Sequence, residues 1–194
     1  MNMHIETPRL IIRAILPEDL EGMFAMDSDP EVHRYLGNQP YTDIAQSREN
    51  IEIIRQQYKD NGIGRWAMLL KESGEFVGWM GFKQMREMVN GHIDHYDFGY
   101  RLARKHWGKG LASEGALAAL NYGIDVLALK DIYAMTDVNN AASRHILESL
   151  GFRLVEVFAY DAPSALHTFH GEPTTWYELV DARLSVGLGQ EATL

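Results

Sequence analysis

Apolar residues recur along this chain with two periods, one typical of strands and one typical of helices. Where they alternate or run together a strand is predicted, and where they return every third or fourth position a helix is predicted. The predicted strands are residues 5–14, 66–70, 76–82, 96–103, 132–136, 153–160 and 174–180. The predicted helices are one from Pro17, one from Ile44 to Tyr58, one after Gly110 and one after Asn140, with a helical turn from Asp29 to Tyr35.

Two polar stretches between these elements are predicted to be loops. They are residues 84–92, which contain Asn90-Gly91, and residues 161–173. The chain has no internal repeat or low-complexity linker, and its length suits one hydrophobic core. We therefore expect a single α/β domain over residues 1–194, with a tail after Asp181 that frays or forms a brief helix.

Composition narrows the classes of function. The 18 basic and 27 acidic residues give a net charge of −9, which argues against a nucleic-acid binder. This charge fits plain solubility, or a cationic acceptor such as an amine. No long apolar run and no leader-like start is present, so we expect a cytoplasmic protein without a membrane partner. The absence of cysteine excludes thiolate metal sites and a cysteine nucleophile.

The chemistry of the chain is most readable in the loop between the strand 96–103 and the following helix. Gly108 and Gly110 remove side chains there, and the first amides of a helix lack intrahelical acceptors, so the segment suits a phosphate group. It fits neither a P-loop nor a dinucleotide fingerprint, which would need a third glycine at Ser113. The alternative is a tight strand-to-helix turn that binds nothing.

A second motif gives this loop a context. Residues 131–157 contain Asn140-Ala141-Ala142-Ser143 and then Leu150-Gly151-Phe152 between two predicted strands. The order of strand, glycine loop, helix, strand, Asn-x-x-Ser helix and strand resembles the Gcn5-related N-acetyltransferase (GNAT) superfamily. Its pyrophosphate loop, Gln/Arg-x-x-Gly-x-Gly/Ala, is matched by Lys105, Gly108 and Gly110, with lysine in the first position.

The likeness extends from about residue 6 to residue 180 and is strongest to one branch. The opening pattern Glu-Thr-x-Arg-Leu-x-x-Arg resembles the ribosomal-protein N-terminal acetyltransferases of the RimJ/RimL type. It is formed here by Glu6, Thr7, Arg9, Leu10 and Arg13. The resemblance implies a mixed, largely antiparallel central sheet with helices on both faces. It also implies transfer of acetyl from acetyl-CoA to a primary amine by direct attack in a ternary complex, without a metal.

The same resemblance assigns the cofactor-binding residues. The pantetheine arm would pair with the backbone of Phe98, Tyr100 and Leu102, where an N–H would polarise the thioester carbonyl, and would contact Asn140. Gly99 would allow its close approach; an ordinary glycine bulge is the alternative. The pyrophosphate would be held by the loop residues Lys105, His106, Trp107, Gly108, Lys109, Gly110, Leu111 and Ala112.

Three groups are candidates for the base that takes the amine proton. Asp97 stands where the branch often carries glutamate and is the first choice; Glu178 is the second, and His92 and His95 are the third. Ser143 is the matched position for the group that protonates the leaving thiolate or holds a water beside it. The tyrosine that many members carry one turn later is replaced by Leu147. The alternatives are a solvated strand carboxylate for Asp97 and a local cap for Ser143 and Asn140.

Other signals carry less chemistry. On a strand, His92 and Asp94 would face away from His95, so a metal site is not expected. Trp107 could pack beneath the phosphate loop, whereas core positions are expected for Trp66, Trp79 and Trp176. The acceptor, a protein N-terminus or a small amine, is not encoded in a readable motif. A homodimer is expected only by analogy. The alternative functions are a non-catalytic acyl-CoA-binding or sensing module, and an interaction subunit with a purely structural loop.

Overall fold

A computed structural model of the chain describes residues 3–159 and 173–180. The strands in this part are β1 (His4–Glu6), β2 (Leu10–Ala14), β3 (Arg65–Leu70), β4 (Phe76–Met85), β5 (His95–Leu102), β6 (Ile132–Asp137), β7 (Phe152–Ala159) and β8 (Pro173–Leu179). The helices are α1 (Leu20–Asp27), α2 (Ile44–Asn61), α3 (Leu111–Asp125) and α4 (Ala141–Ser149), with short 3₁₀ turns at Pro17–Asp19 and Arg104–His106.

All the strands belong to one sheet, in the order β1-β2-β3-β4-β5-β6-β8-β7. Every neighbouring pair is antiparallel except β5 and β6, which run parallel. Parallel neighbours need a crossover, and α3 supplies it. The predicted mixed, largely antiparallel sheet is confirmed.

Helices cover both faces of the sheet because the strands bury apolar side chains on both. On one face, α3 packs on even-numbered residues of β4 and β5, including Met80, Phe82 and Phe98, and α4 packs on β6 and β7. On the other face, α1 and α2 enclose a second apolar cluster with Ala67 and Ala103. Among the described residues, no helix is long and apolar enough to cross a bilayer.

Capping residues set the ends of α2, the helix that forms one wall of a cavity. Asp43 caps its first turn by accepting from the Ala45 N–H at 2.8 Å, and Gln46 closes the capping box. Gly62 ends the helix in the left-handed conformation at φ 69°. The predicted apolar stripe of this helix is confirmed, since Ile51 and Ile54 are buried.

The structure corrects several predicted boundaries. The single strand predicted over 5–14 is the hairpin β1–β2, because the chain turns where the Thr7 N–H donates to the Leu10 carbonyl at 2.9 Å. The loop predicted over 84–92 starts later, since β4 continues to Met85. The helical turn predicted from Asp29 to Tyr35 agrees with the structure, where residues 30–38 form turns and the Val32 N–H donates to the Asp29 carbonyl at 3.1 Å. The predictions for residues 161–172 and for the tail lie outside the described residues.

Two glycines of α3 test how tightly this helix packs on the sheet. A Cβ at Gly123 would stand 2.4 Å from the buried Phe82 ring, whereas one at Gly115 would meet the flexible tips of Met80 and Met68. Both replacements gain about 1 kcal/mol of helix propensity. We expect Gly123→Ala to be about 1–3 kcal/mol less stable than Gly115→Ala in urea unfolding. Equal free energies of unfolding would contradict this packing.

Candidate active site

The central feature of the site is a gap between the parallel strands β5 and β6. The two strands pair only at Tyr96–Ile132 and Asp97–Tyr133, whereas β5 pairs with β4 along its whole length. The Tyr96 N–H also donates to the carbonyl of Asp131, the residue before β6, at 3.0 Å. Because strand amides alternate in direction, the backbone groups of residues 98, 100 and 102 face the gap.

A cavity of about 460 Å³ passes through this gap. Its lining includes Gln46 and Asn50 of α2 on one face of the sheet and Ser143 and Leu147 of α4 on the other. A cavity lined from both faces connects the two sides of the sheet. Two reactants could therefore meet in the gap from opposite sides.

The glycine loop adopts the conformation that an anion site requires. Gly108 and Gly110 lie in the left-handed region at φ 69° and 73°, and Gly110 is the N-cap of α3. Nothing lies within 4 Å of a Cβ built at Gly108, so the space above the loop is open. The first amides of α3 have no intrahelical acceptors, so these donors are free for an anion.

Residues of the opening sequence motif form hydrogen bonds with the glycine loop and with the start of α3. Arg9 donates from Nη1 to the Lys109 carbonyl at 2.7 Å and from Nε to Glu114 at 2.6 Å. Thr7 donates to the same carboxylate at 2.6 Å. Arg13 makes its own contacts elsewhere, with two hydrogen bonds to Asp19 at 2.7 and 2.8 Å. Thr7 and Arg9 therefore hold the loop in shape from the turn between β1 and β2.

The residues just before the glycines use their side chains for protein contacts. Lys105 Nζ lies 2.5 Å from Glu75 Oε1, and the buried His106 ring lies 3.5 Å from the same oxygen. Burial lowers the pKa of His106, against the opposing effect of Glu75. Trp107 does not pack beneath the loop as predicted, since it is 45% exposed and its indole donates to the Leu102 carbonyl at 2.9 Å.

Asp97 lies where β5 and β6 separate and lines the cavity. Its carboxylate is paired with the Arg65 guanidinium, which also donates to the Asp97 carbonyl at 2.7 Å and to the Gly81 carbonyl. A Cβ at Gly99 would stand 3.0 Å from that guanidinium. Gly99 therefore makes room for Arg65, and its expected role beside pantetheine stays a prediction.

Three cross-strand rows form the cavity floor on the α2 face. Lys83 stands opposite Asp97, Gly81 opposite Gly99, and Trp79 opposite Arg101. Trp79 packs partly buried against the second apolar cluster, as its predicted core position requires, but it also lines the cavity. The Arg65 and Arg101 guanidinium groups lie 5.3 and 5.1 Å from its ring.

Behind this floor lies a buried carboxylate. Arg101 donates to Asp27 at 2.8 Å, and His33 lies 3.7 Å from the same oxygen. Burial opposes the ionisation of Asp27, but Arg101 and His33 outweigh it and keep its pKa below the usual range. The ion pair ties the strand floor to the end of α1, from which residues 33–41 form part of the cavity wall.

The phenol of Tyr100 reaches α4 at the far wall of the cavity. It donates to the Ser143 carbonyl at 2.9 Å and lies 3.2 Å from Ser143 Oγ. Burial raises the pKa of Tyr100. Asn140 caps α4 by accepting from the Ser143 N–H at 3.1 Å, and both residues line the cavity. Leu147, in the place of the usual tyrosine, is buried.

The other candidate bases stand apart from this cavity. Glu178 does not line it and lies 3.9 Å from Arg153. His92 and His95 also do not line it and belong to an aromatic cluster, in which the His92 ring stacks on Trp176 at 5.2 Å.

The geometry of the two histidines differs from the prediction. Their rings are 6.3 Å apart because the chain turns at Asp94, which has φ 53°, so they do not face opposite ways. Burial lowers the pKa of His95. Within residues 3–159 and 173–180, no group of three or more metal-ligating side chains is close enough to hold a metal ion.

Sequence reasoning missed the charged cavity floor. Arg65, Lys83 and Arg101 all line the cavity, and none was a candidate. The sequence contained a signal for Arg101. Strand alternation places Asp97 and Arg101 on the same face of the strand, and the helices predicted on both sides of the sheet would cover that face. A charged residue on a covered strand face needs a partner or a ligand.

Comparison with known proteins connects this geometry to a family. A family model described as an acetyltransferase (GNAT) domain matches residues 9–153. An N-acetyltransferase of Bacillus licheniformis named p20, itself uncharacterized, is 36% identical over 147 residues, which are 76% of this chain and 80% of that protein.

Solved structures share the same architecture. A GNAT-family acetyltransferase from Bacillus anthracis has a TM-score of 0.72 at 25% identity, covering 92% of this chain and 98% of its own. A spermidine N-acetyltransferase from Vibrio cholerae, solved with CoA and spermine, has a TM-score of 0.69 over 92% of this chain and 99% of its own. At 18% identity, the second likeness concerns the fold alone.

Proposed function

The chain belongs to the GNAT family and is an acetyl-CoA-dependent N-acyltransferase, and from this premise we propose that it moves acetyl to a primary amine by direct attack in a ternary complex. The observation that carries the proposal is the cavity that crosses the sheet at the β5–β6 gap. It would let thioester and amine meet from opposite faces. The chain has no cysteine to carry the acetyl group.

The residues at the gap fit coenzyme A. The unpaired edge of β5 at Phe98 and Tyr100 offers backbone groups to an extended amide chain such as pantetheine. The left-handed glycines and the free amides at the start of α3 suit a pyrophosphate. Bound there, acetyl-CoA supplies an acetyl group already activated as a thioester.

Asp97 is our proposed base. Its carboxylate lines the cavity at the end of the gap, and Arg65 fixes its position. It would take the proton of the attacking amine, directly or through a water, while the new N–C bond forms. Glu178 is the weaker choice because it lies outside the cavity lining.

Two further groups would act on the thioester, one on its carbonyl oxygen and one on its sulfur. An N–H of the free β5 edge, most directly that of Phe98, would donate to the oxygen that gains negative charge. Ser143 Oγ would pass its proton to the sulfur as the C–S bond breaks and would regain a proton from a water, so that no alkoxide remains. Tyr100 lies behind Ser143 and holds its backbone. The amine nitrogen thus gains acetyl and loses a proton, and the sulfur leaves as a thiol.

The Ser143 assignment can be tested by deletion of its hydroxyl. We expect Ser143→Ala to lower kcat about tenfold, a smaller loss than for removal of the general base. The reason is that a thiol with a pKa near 8.5 already leaves readily as the thiolate. Ser143→Thr should recover most of the rate. Steady-state thiol release checks both. Unchanged kcat in the alanine variant would assign the serine to helix capping alone.

Finer features of the function stay open to experiment. The opening motif Glu6–Arg13 supports a relation to the RimJ/RimL type, whose acceptors are protein N-termini; a small amine is the other option. The homodimer and the cytoplasmic location remain predictions, as does the single domain over residues 1–194.

The proposed function is tested by a panel of amines with acetyl-CoA. The panel contains peptides with free N-termini, amino acids, polyamines and simple alkylamines. We expect thiol release together with an acetylated amine, identified by mass spectrometry, for at least one class. Tight binding of acetyl-CoA without turnover of any amine would favour the non-catalytic sensing module. No binding by folded protein would refute the acetyltransferase proposal.

A further inference from the structure

The acceptor side of the cavity is cationic although the chain as a whole is acidic. Among the residues that the structure describes, the charged ones in the lining are Arg65, Lys83 and Arg101, against the single carboxylate of Asp97. The whole chain carries −9. Beyond about 8 Å salt screens distant charges, so a bound molecule responds mainly to this local excess.

Two of the three cations are already neutralised. Arg65 is paired with Asp97, and Arg101 is paired with the buried Asp27 at 2.8 Å. Each guanidinium also lies against the Trp79 ring. These two arginines therefore serve mainly to organise the floor.

Lys83 is the cation left over. Within the described residues it has no carboxylate within ion-pair distance, although it is partly buried and lines the cavity. Burial lowers its pKa, while Asp97 raises it. A half-buried ammonium without a counterion is costly, and an anionic ligand group would relieve that cost.

The position of Lys83 relative to Asp97 sets how far apart the two groups of a bound acceptor can lie. Lys83 and Asp97 stand directly opposite each other in the antiparallel β4–β5 pair, where Cβ atoms are about 5 Å apart. An amine delivered to Asp97 would therefore place a group a few bonds away beside the Lys83 ammonium.

From this arrangement we propose that the acceptor is a small amine that carries a carboxylate close to its amino group, as an amino acid does, with Lys83 binding that carboxylate. The assignment rests on the proposed function and deepens it. It differs from what the net charge suggests, which is a purely cationic acceptor. A polyamine would bring further positive charge against Arg65, Lys83 and Arg101.

Matched acceptor pairs test this assignment. Each pair is an L-amino acid and its carboxamide, which has the same shape but no negative charge, with acetyl-CoA as donor. Spermidine and a peptide with a free N-terminus, neutral side chains and an amidated C-terminus complete the panel. We expect the best-used amino acid to exceed its carboxamide in kcat/KM by about tenfold, the scale of one charge-assisted hydrogen bond.

Two variants make the result specific to Lys83. Lys83→Gln should reduce the acid-to-amide ratio about tenfold, and Lys83→Glu should invert it, with KM for acetyl-CoA retained in both. Lys130→Gln, which removes an exposed lysine outside this cavity, should keep the wild-type ratio.

Several outcomes would overturn the assignment. Equal or better use of carboxamides, spermidine or the peptide by the wild type would do so, as would a ratio that survives Lys83→Gln. In these cases amines are still acetylated and the proposed function stands. If no amine is acetylated, the proposed function fails first and this assignment fails with it.

Discussion

Asp97→Asn is expected to lower kcat by about a hundredfold or more, the lower end of what a general base contributes. The amide keeps the shape of the side chain and can still accept from Arg65, but it cannot take the proton of the amine. Thiol release with a saturating amine measures this effect.

Two variants control for the loss of the ion pair with Arg65. Asp97→Glu keeps a carboxylate and should retain much of the activity, since the matching position of the related branch often carries glutamate. Asp94→Asn makes the same chemical change three residues earlier at an exposed turn with φ 53°, which asparagine tolerates. It should behave as wild type. If Asp97→Asn melts normally and keeps its turnover, Asp97 is not the base.

The second large effect is expected on acetyl-CoA binding at the start of α3. Gly110→Asp should weaken binding on the order of a hundredfold at low salt, because it places a negative charge where the pyrophosphate would lie. The asparagine of Gly110→Asn has nearly the same shape as aspartate, and both side chains tolerate the left-handed backbone at φ 73°. The difference between the two variants therefore isolates charge from backbone strain.

Calorimetric titration with acetyl-CoA reads this difference directly. The gap between the Asp and Asn variants should shrink as salt is added, because the loop is exposed and its charges are screened. A built Cβ at Gly110 has no neighbour closer than Arg9 Nη2 at 3.4 Å, so both variants have space to fold. Equal dissociation constants for the two variants would place the pyrophosphate elsewhere.

The parts of the site that the sequence predicted are those set by local order along the chain. The glycine loop needs only Gly108 and Gly110 followed by a helix, and the cap of α4 needs only Asn140 and Ser143 three residues apart. Such features depend on backbone geometry over a few residues, so their positions agree with the structure.

The parts that the sequence did not predict depend on contacts between distant segments. Asp97 meets Arg65, 32 positions earlier, and Arg101 meets Asp27, 74 positions earlier. No local pattern encodes either pair. The place of Trp79 in the cavity lining was missed for the same reason, because strand alternation gives its face but not the two guanidinium groups that cover it.

Turn geometry explains the remaining errors. The break between β1 and β2 follows from the Thr7 hydroxyl, which accepts from the Leu10 N–H at 2.8 Å and donates to Glu114, 107 positions away. The two histidines at 92 and 95 cluster because Asp94 takes a left-handed conformation that strand periodicity does not foresee. Both are cases where a side chain or a rare backbone state overrides the hydrophobic pattern.

The most direct test of acetyl passage from thioester to amine is a single-turnover reaction with excess protein, quenched over time. Intact-mass spectrometry of the protein and quantification of products are read from the same samples. The proposed mechanism predicts that free CoA and acetylated amine appear together in equal amounts, that both require the amine, and that the protein mass never changes. An acetylated protein that forms with acetyl-CoA alone and then passes its acetyl group to the amine would contradict it.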